Sequence, residues 1–338
     1  MRNILFILFS SMLFQQTARA EKADSLVIYM KNSGMKVGTK DSADFVRVIM
    51  PPDSSVDRDL YRVIEYYPNG KRRSVASSFT NTDRLILDGA CIEYFPNGKR
   101  RSSSLYKKGV LTGEMFNYYP SGKLYSHLKI VDMPGYYYYG SGNYNPSYYS
   151  DSYKIQVIEM RDALGKLLVT NGKGHVIVYD DNFEIIEDEG DIVNDKKEGE
   201  WSGQIADTAN FVITYHKDVL KKGITHTRSG KQYTFTKIEV EPVFSDGREA
   251  LVTFLKKNTQ YPESARKRNI QGYVGVEFTV EPNGTVSNPK VTGSLMKSAD
   301  DEALRVVGIS PLWIPGTIYG IPVPMEVKVE IGFYKNPR

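Results

Sequence analysis

The sequence predicts an α+β protein, with an N-terminal sheet of antiparallel β-hairpin repeats followed by a small ββαβ domain. Three observations carry this. Apolar and polar residues alternate through Tyr273–Glu281 and again through Val323–Phe333, the period of two that buries one face of a strand. Between them Ala299, Ala303, Val306 and Val307 form an apolar stripe at helical spacing. Upstream, EYYPNGKRR at 65–73 returns as EYFPNGKRR at 93–101 and as NYYPSGKLY at 117–125.

In chain order, residues 1–20 read as a signal peptide. Arg2 supplies the positive start, Ile4–Phe14 the apolar run, and Ala18-Arg19-Ala20 the small-x-small cleavage site. The run is short of the roughly 20 apolar residues a membrane helix needs, and no later run is long enough to span a bilayer. Removing these residues leaves 42 basic against 40 acidic side chains, a balance that points away from nucleic acid. The single Cys91 cannot form an internal disulfide and reads as a small buried strand residue. Residues 21–60 are an N-terminal segment of unknown role, with strands expected at Ser25–Met30 and Phe45–Met50.

Residues 61–235 read as the hairpin array. Each unit is an aromatic pair, Pro, Asn-Gly or Ser-Gly, Lys, and an alternating run, as of a strand entering and leaving a tight turn. One hairpin is marginal alone, so the units must join into an extended sheet. Stretches 161–182, 191–205 and 223–235 look like later, degenerate copies. These units resemble MORN-type repeats, in the variant typified by Tyr-Tyr-x-Asn-Gly-Lys. Residues 134–153 interrupt the pattern with eight of the 24 tyrosines among Gly, Ser, Asn and Pro, which reads as a loop insertion. Its rings could lie over the sheet or meet peptidoglycan sugar or a partner peptide.

Residues 236–338 read as the last domain, entered through a linker at 236–246. A helix over 244–258 is expected, with Asp246 and Glu249 as a capping box and Ala250, Leu251, Phe254 and Leu255 inward. A short helix follows over Pro262–Arg268, then the hairpin of Tyr273–Glu281 and Thr285–Thr292 about Asn283-Gly284, whose positive φ values would make the turn. Pro289 argues for an edge or a bulge in its second strand. Ser298 is the expected cap of the following helix, and Val323–Phe333 closes the domain.

The ordered motifs Tyr261-Pro262, Ala265, Gly272, Asn283-Gly284, Asp300, Ala303, Trp313, Pro315-Gly316 and Phe333 resemble the C-terminal domain of the TonB energy-transducer family, over roughly residues 244–334. Asn269 departs from the Gly often found there, with little consequence, because Asn tolerates the left-handed conformation. The resemblance implies a non-enzymatic domain, without cofactor or metal, working in the periplasm of a Gram-negative bacterium in transmembrane transport. It implies that the final strand and the residues before Tyr261 meet the N-terminal peptide of an outer-membrane TonB-dependent receptor. Carried over, those are Val327, Lys328, Val329, Glu330 and Ile331 with Asn258, Thr259 and Gln260. Tyr261, Pro262, Ala265, Gly272, Asn283, Gly284, Trp313, Pro315, Gly316 and Phe333 are the structural part of the motif. An exposed final strand would act by β-augmentation; alternatively Glu326, Lys328 and Glu330 only discourage aggregation.

Energy transducers of that family have a membrane helix and a Pro-rich spacer, where this chain has a signal-like segment and hairpins. Receptor binding is therefore better supported than force transmission. The alternative is an envelope scaffold whose repeats bind lipid, peptidoglycan or other envelope proteins. His127, His175, His216 and His226 form no His-x-x-x-His zinc pair, and Glu184–Glu200 lacks the order of a calcium loop. No phosphate-binding Gly-rich loop or nucleophile elbow occurs.

Overall fold

The computed structural model describes residues 25–53, 55, 59–132 and 154–335. The expected signal peptide and the Tyr-rich insertion at 134–153 lie outside the described residues. The chain divides into two compact units at Gly113/Glu114.

In the first unit β1 (Leu26–Met30) pairs antiparallel with β2 (Lys36–Val37) and β3 (Phe45–Met50). Each later strand pairs with its predecessor: β4 (Tyr61–Tyr66), β5 (Arg72–Ser78), β6 (Gly89–Tyr94) and β7 (Arg100–Lys107). The segment before residue 60 is thus sheet continuous with the first repeat. Ile28, Phe45, Ile49, Val63, Leu85 and Cys91 are in its core. One face also buries a charge network. Arg47 donates from Nε and Nη2 to Glu65 Oε1 at 2.9 and 2.8 Å, while Arg73 and Ser74 donate to Oε2. Arg47 and Glu65 side chains are 1% and 0% exposed, so the pair is sound only because each carboxylate oxygen is bonded.

β8 (Val110–Tyr118) crosses the division. The second unit continues the meander through β9 (Leu124–Asp132), β10 (Lys154–Arg161), β11 (Leu167–Thr170), β12 (Lys173–Tyr179) and β13 (Ile186–Val193). β14 (Lys196–Ile205), β15 (Ala209–His216), β16 (Val219–Thr227) and β17 (Gln232–Phe235) complete it. In β15 buried and exposed residues alternate without exception.

The repeat signature is a single turn used again and again. At Tyr67, Phe95, Tyr119, Asp162, Thr227 and Glu281 the first residue donates its N–H to the carbonyl of the fifth and accepts from the N–H of the fourth. The fourth residue is always Gly, with φ between 80° and 98°. The Asn before it does not share the positive φ expected of an Asn-Gly pair. Proline at the second position of several copies sets the φ of a type I turn, which Gly then closes as a bulge. Asn69, Asn97 and Asn283 use Oδ1 instead, accepting the N–H two residues on at 3.0, 2.8 and 3.0 Å.

Two pairs of these turns are also clasped together. Tyr67 Oη donates to Tyr94 O at 2.7 Å and Lys71 Nζ to Asn97 O at 3.1 Å. Tyr119 Oη donates to Arg161 O at 2.8 Å and Lys123 Nζ to Ala163 O at 3.2 Å. Each tyrosine reaches the residue before the next turn, and Lys123 Nζ also lies 3.4 Å from Leu164 O, the position that matches Asn97, so 161–166 takes the place of a next turn although residues 134–153 intervene.

The C-terminal stretch adds β18 (Glu239–Val240), β19 (Val243–Phe244), α1 (Gly247–Asn258), α2 (Glu263–Lys267), β20 (Gly272–Val280) and β21 (Val286–Gly293). α3 (Lys297–Gly308), β22 (Trp313–Ile314), β23 (Thr317–Ile318), β24 (Ile321–Pro322) and β25 (Met325–Phe333) follow. Residues 236–246 are not a free linker, because β18 pairs with β23 and β19 with β22. Neither helix cap is as expected. Asp246 makes no side-chain cap bond. α3 starts after Met296, so Ser298 lies inside it and faces Ser264 Oγ at 2.8 Å. Asp300 reaches back instead to Leu295 N at 3.0 Å. The expected stripe of α3 is buried, packed on one face of a sheet ordered β21-β20-β25.

Candidate functional site

A central strand needs both ladders, so β20 pairs with both neighbours and leaves β21 and β25 as the two edges. The edges differ. In β21 Pro289 lacks an N–H and Asn288 has φ 52°; the register with β20 slips twice. β25 instead matches β20 residue for residue from Gly272↔Phe333 to Val280↔Met325, with no irregularity. Its start at Met325 rather than Val323 follows from Pro324, which cannot donate to the ladder. β25 is therefore the straight, unbroken edge, and it carries Val327, Lys328, Val329, Glu330 and Ile331.

The side chains of β25 divide by face. Ile331 and Phe333 are buried, and Val327 and Val329 are half-buried against the same core. On the other face Lys328 Nζ lies 2.8 Å from Glu277 Oε2, and Lys290 Nζ of β21 lies 2.5 Å from Glu277 Oε1. Hydrogen bonds from Lys290 and Lys328 hold the Glu277 carboxyl below its ordinary range. Its bond to Glu277 raises Lys328 in turn. Lys328 is thus a rung across the sheet, with its backbone left at the edge.

Asn258, Thr259 and Gln260 are held elsewhere. Glu302 Oε1 of α3 accepts Gln260 N–H at 2.6 Å, and Arg305 Nη2 donates to Asn258 O at 2.7 Å. Arg305 also donates to both oxygens of Glu302, and these bonds hold that carboxyl low. Asn258 Nδ2 turns back to Phe254 O at 2.8 Å, while Thr259 Oγ1 is buried without a hydrogen-bond partner. The structure thus ties this segment to α3. Its link toward β25 runs through the next residue, whose Tyr261 ring lies 6.3 Å from the Phe333 ring.

The remaining motif residues frame the edge. Tyr261 Oη donates to Ile270 O at 2.7 Å, Pro262 caps α2, and Ala265 is fully buried. Gly272 opens β20 opposite Phe333. Asn283 and Gly284 make the hairpin turn, and Trp313 N–H donates to Gly284 O at 2.8 Å. The Trp313 ring packs edge-on against Phe244 and Phe278 at 5.3 and 5.4 Å. Pro315 leads into Gly316, which has no room for a side chain: a Cβ there would lie 2.3 Å from Met325 Sδ. These residues position the start of β25. The Glu302–Arg305 clamp and the Glu277 rungs had no motif to announce them. The two-residue turn Tyr319-Gly320 between two isoleucines does carry a sequence signal, that of a tight hairpin.

Among the described residues no group of three or more His, Cys, Asp or Glu could hold a metal ion. No helix there is long and apolar enough to cross a membrane. Compared with known families, residues 257–334 match the one described as Gram-negative bacterial TonB protein C-terminal. Residues 87–108 and 111–129 match the MORN repeat variant. Both fall where the motifs had placed them, and in that order. No curated protein matches the chain.

Proposed function

We propose that this chain is a non-enzymatic periplasmic protein, exported by a cleaved signal peptide. Its β25 edge takes an extended segment of a TonB-dependent outer-membrane transporter, or of a related envelope partner, by strand addition. The observation that supports this most is the contrast between the two edges: β21 is broken by Pro289 and Asn288, whereas β25 is regular over its whole length. A free regular edge offers backbone donors and acceptors to an incoming strand. At roughly 0.5–1.5 kcal/mol net per bond, several such bonds give a reversible grip suited to transport.

The test is capture of transporters from native envelope by the full chain and by two variants, Lys328→Pro and Val329→Pro. Successive N–H groups of an edge strand point alternately inward and outward, and proline removes one. One variant therefore loses a bond to β20 and the other a bond to the partner. We expect the outward substitution to abolish capture while thermal unfolding stays near that of the parent chain. Capture that survives both prolines would end the strand-addition reading and turn attention to the repeats.

A further inference from the structure

One hairpin of the C-terminal stretch reaches beyond its own small sheet of β18, β23 and β24. Strands β23 and β24 are joined by Tyr319-Gly320, both at positive φ, 51° and 78°. Gly is at ease there, whereas a tyrosine adopts this conformation at a cost. The ring lies on the repeat sheet. It stacks on Phe211 of β15 at 4.7 Å and 18°, and meets Phe235 of β17 edge-on at 5.7 Å. Its backbone is bonded there too. Thr225 of β16, wholly buried, donates its hydroxyl to Tyr319 O at 2.7 Å, while Tyr319 N–H stays within the C-terminal stretch and donates to Ile238 O at 2.6 Å.

The repeat side is shaped to receive it. Gly223 lets the Phe235 ring lie directly over the β16 backbone, since a Cβ there would be 2.1 Å from that ring. Only Val323 and Pro324 separate β24 from β25, and Val323 N–H is fixed to Gly316 O at 3.1 Å. The edge strand therefore begins within a few residues of the docked ring.

We propose that Tyr319 is a peg docking the C-terminal domain onto the last repeat hairpins, so that β25 is held in one orientation on that sheet and both parts open as one cooperative unit. Docking stands on the contacts alone. Its use, passing a pull on β25 into the repeats, rests on the strand addition proposed above.

Hydrogen exchange on the full chain tests it without any partner. Tyr319→Asn keeps a residue that accepts positive φ, Tyr319→Phe keeps the ring, and Thr225→Val removes the hydroxyl donor. We expect Tyr319→Asn to speed exchange of the β16 and β17 amides about tenfold or more. The β20 and β25 amides should stay protected, and Tyr319→Phe should behave as the parent. Thr225→Val should show the same loss to a smaller degree. Unchanged β16 and β17 amides in Tyr319→Asn, or equal losses in the Phe and Asn variants, would overturn the proposal. Failure of transporter capture would leave this result standing, so the two readings can fail separately.

Discussion

Glu277 is the residue on which the outer face of the small sheet converges, one carboxylate between lysines of two neighbouring strands. Those bonds lower its pKa, so the ionised form favours the folded state. The stabilisation is complete above the unfolded-state value, about 4.3 for a glutamate, and is lost as pH falls through the lower folded value. We therefore expect Glu277→Gln to be less stable than the parent at pH 7, with the gap closing toward pH 3. Denaturant titrations across that range measure it; a gap independent of pH would mean that packing, not charge, is involved. Arg305 makes a comparable local statement. Removing it in Arg305→Ala frees Asn258 O and weakens the hold of Glu302 on Gln260. The Gln260 amide should then exchange about tenfold faster, and an unchanged rate would show that the loop is held by other bonds.

At the scale of elements, strands were legible because alternation is a direct image of burial. β20, β25 and the buried stripe of α3 lie where their patterns put them. Caps were less legible, because Ser298 and Asp246 satisfy the residue preference while the chain starts its helices slightly differently. Of the candidate site, the edge strand could be read from its alternation and its resemblance. The α3 clamp could not, since Glu302 and Arg305 look like any charged pair on a helix surface. The repeat turn was read as a hairpin but not as this hairpin, because proline's control of the second position overrides the Asn-Gly preference. Only Gly98, with φ 91°, needs its glycine in the turn of the second copy. Gly98→Ala should cost roughly 1–2 kcal/mol and Gly98→Asn less, as read from urea midpoints. Equal costs for both would mean that the bulge tolerates any side chain.

At the scale of the whole molecule, neighbouring repeats stabilise one another, with the Tyr67 turn bonded to the Phe95 turn and the Tyr119 turn to the Asp162 turn. The Tyr119 hydroxyl, its pKa raised by burial, stays a proton donor throughout the physiological range. Tyr67→Phe and Tyr119→Phe each remove one clasp bond, and Tyr119→Phe also removes a hydrogen bond with Tyr179, each such bond being worth about 0.5–1.5 kcal/mol. Both tyrosines occupy the same slot and bond to the residue before the next turn, so Tyr119→Phe should cost the more, by about the one further bond to Tyr179. A smaller loss at Tyr119 than at Tyr67 in chemical denaturation would show that the later copy is held by other means.

The clasp also says how such a chain can grow. The lysine of the clasp is present in all three nonapeptide copies and the tyrosine in the first and third, Phe95 taking its place in the second, so a duplicated first or third copy arrives already carrying the fastener that binds it to its successor. The bond from Tyr119 to Arg161 spans the whole of 134–153, which means that new sequence can be spliced between copies without re-inventing how they join. Lengthening of the array and insertion within it can thereby proceed independently, while the last hairpins are committed to the seat of Tyr319.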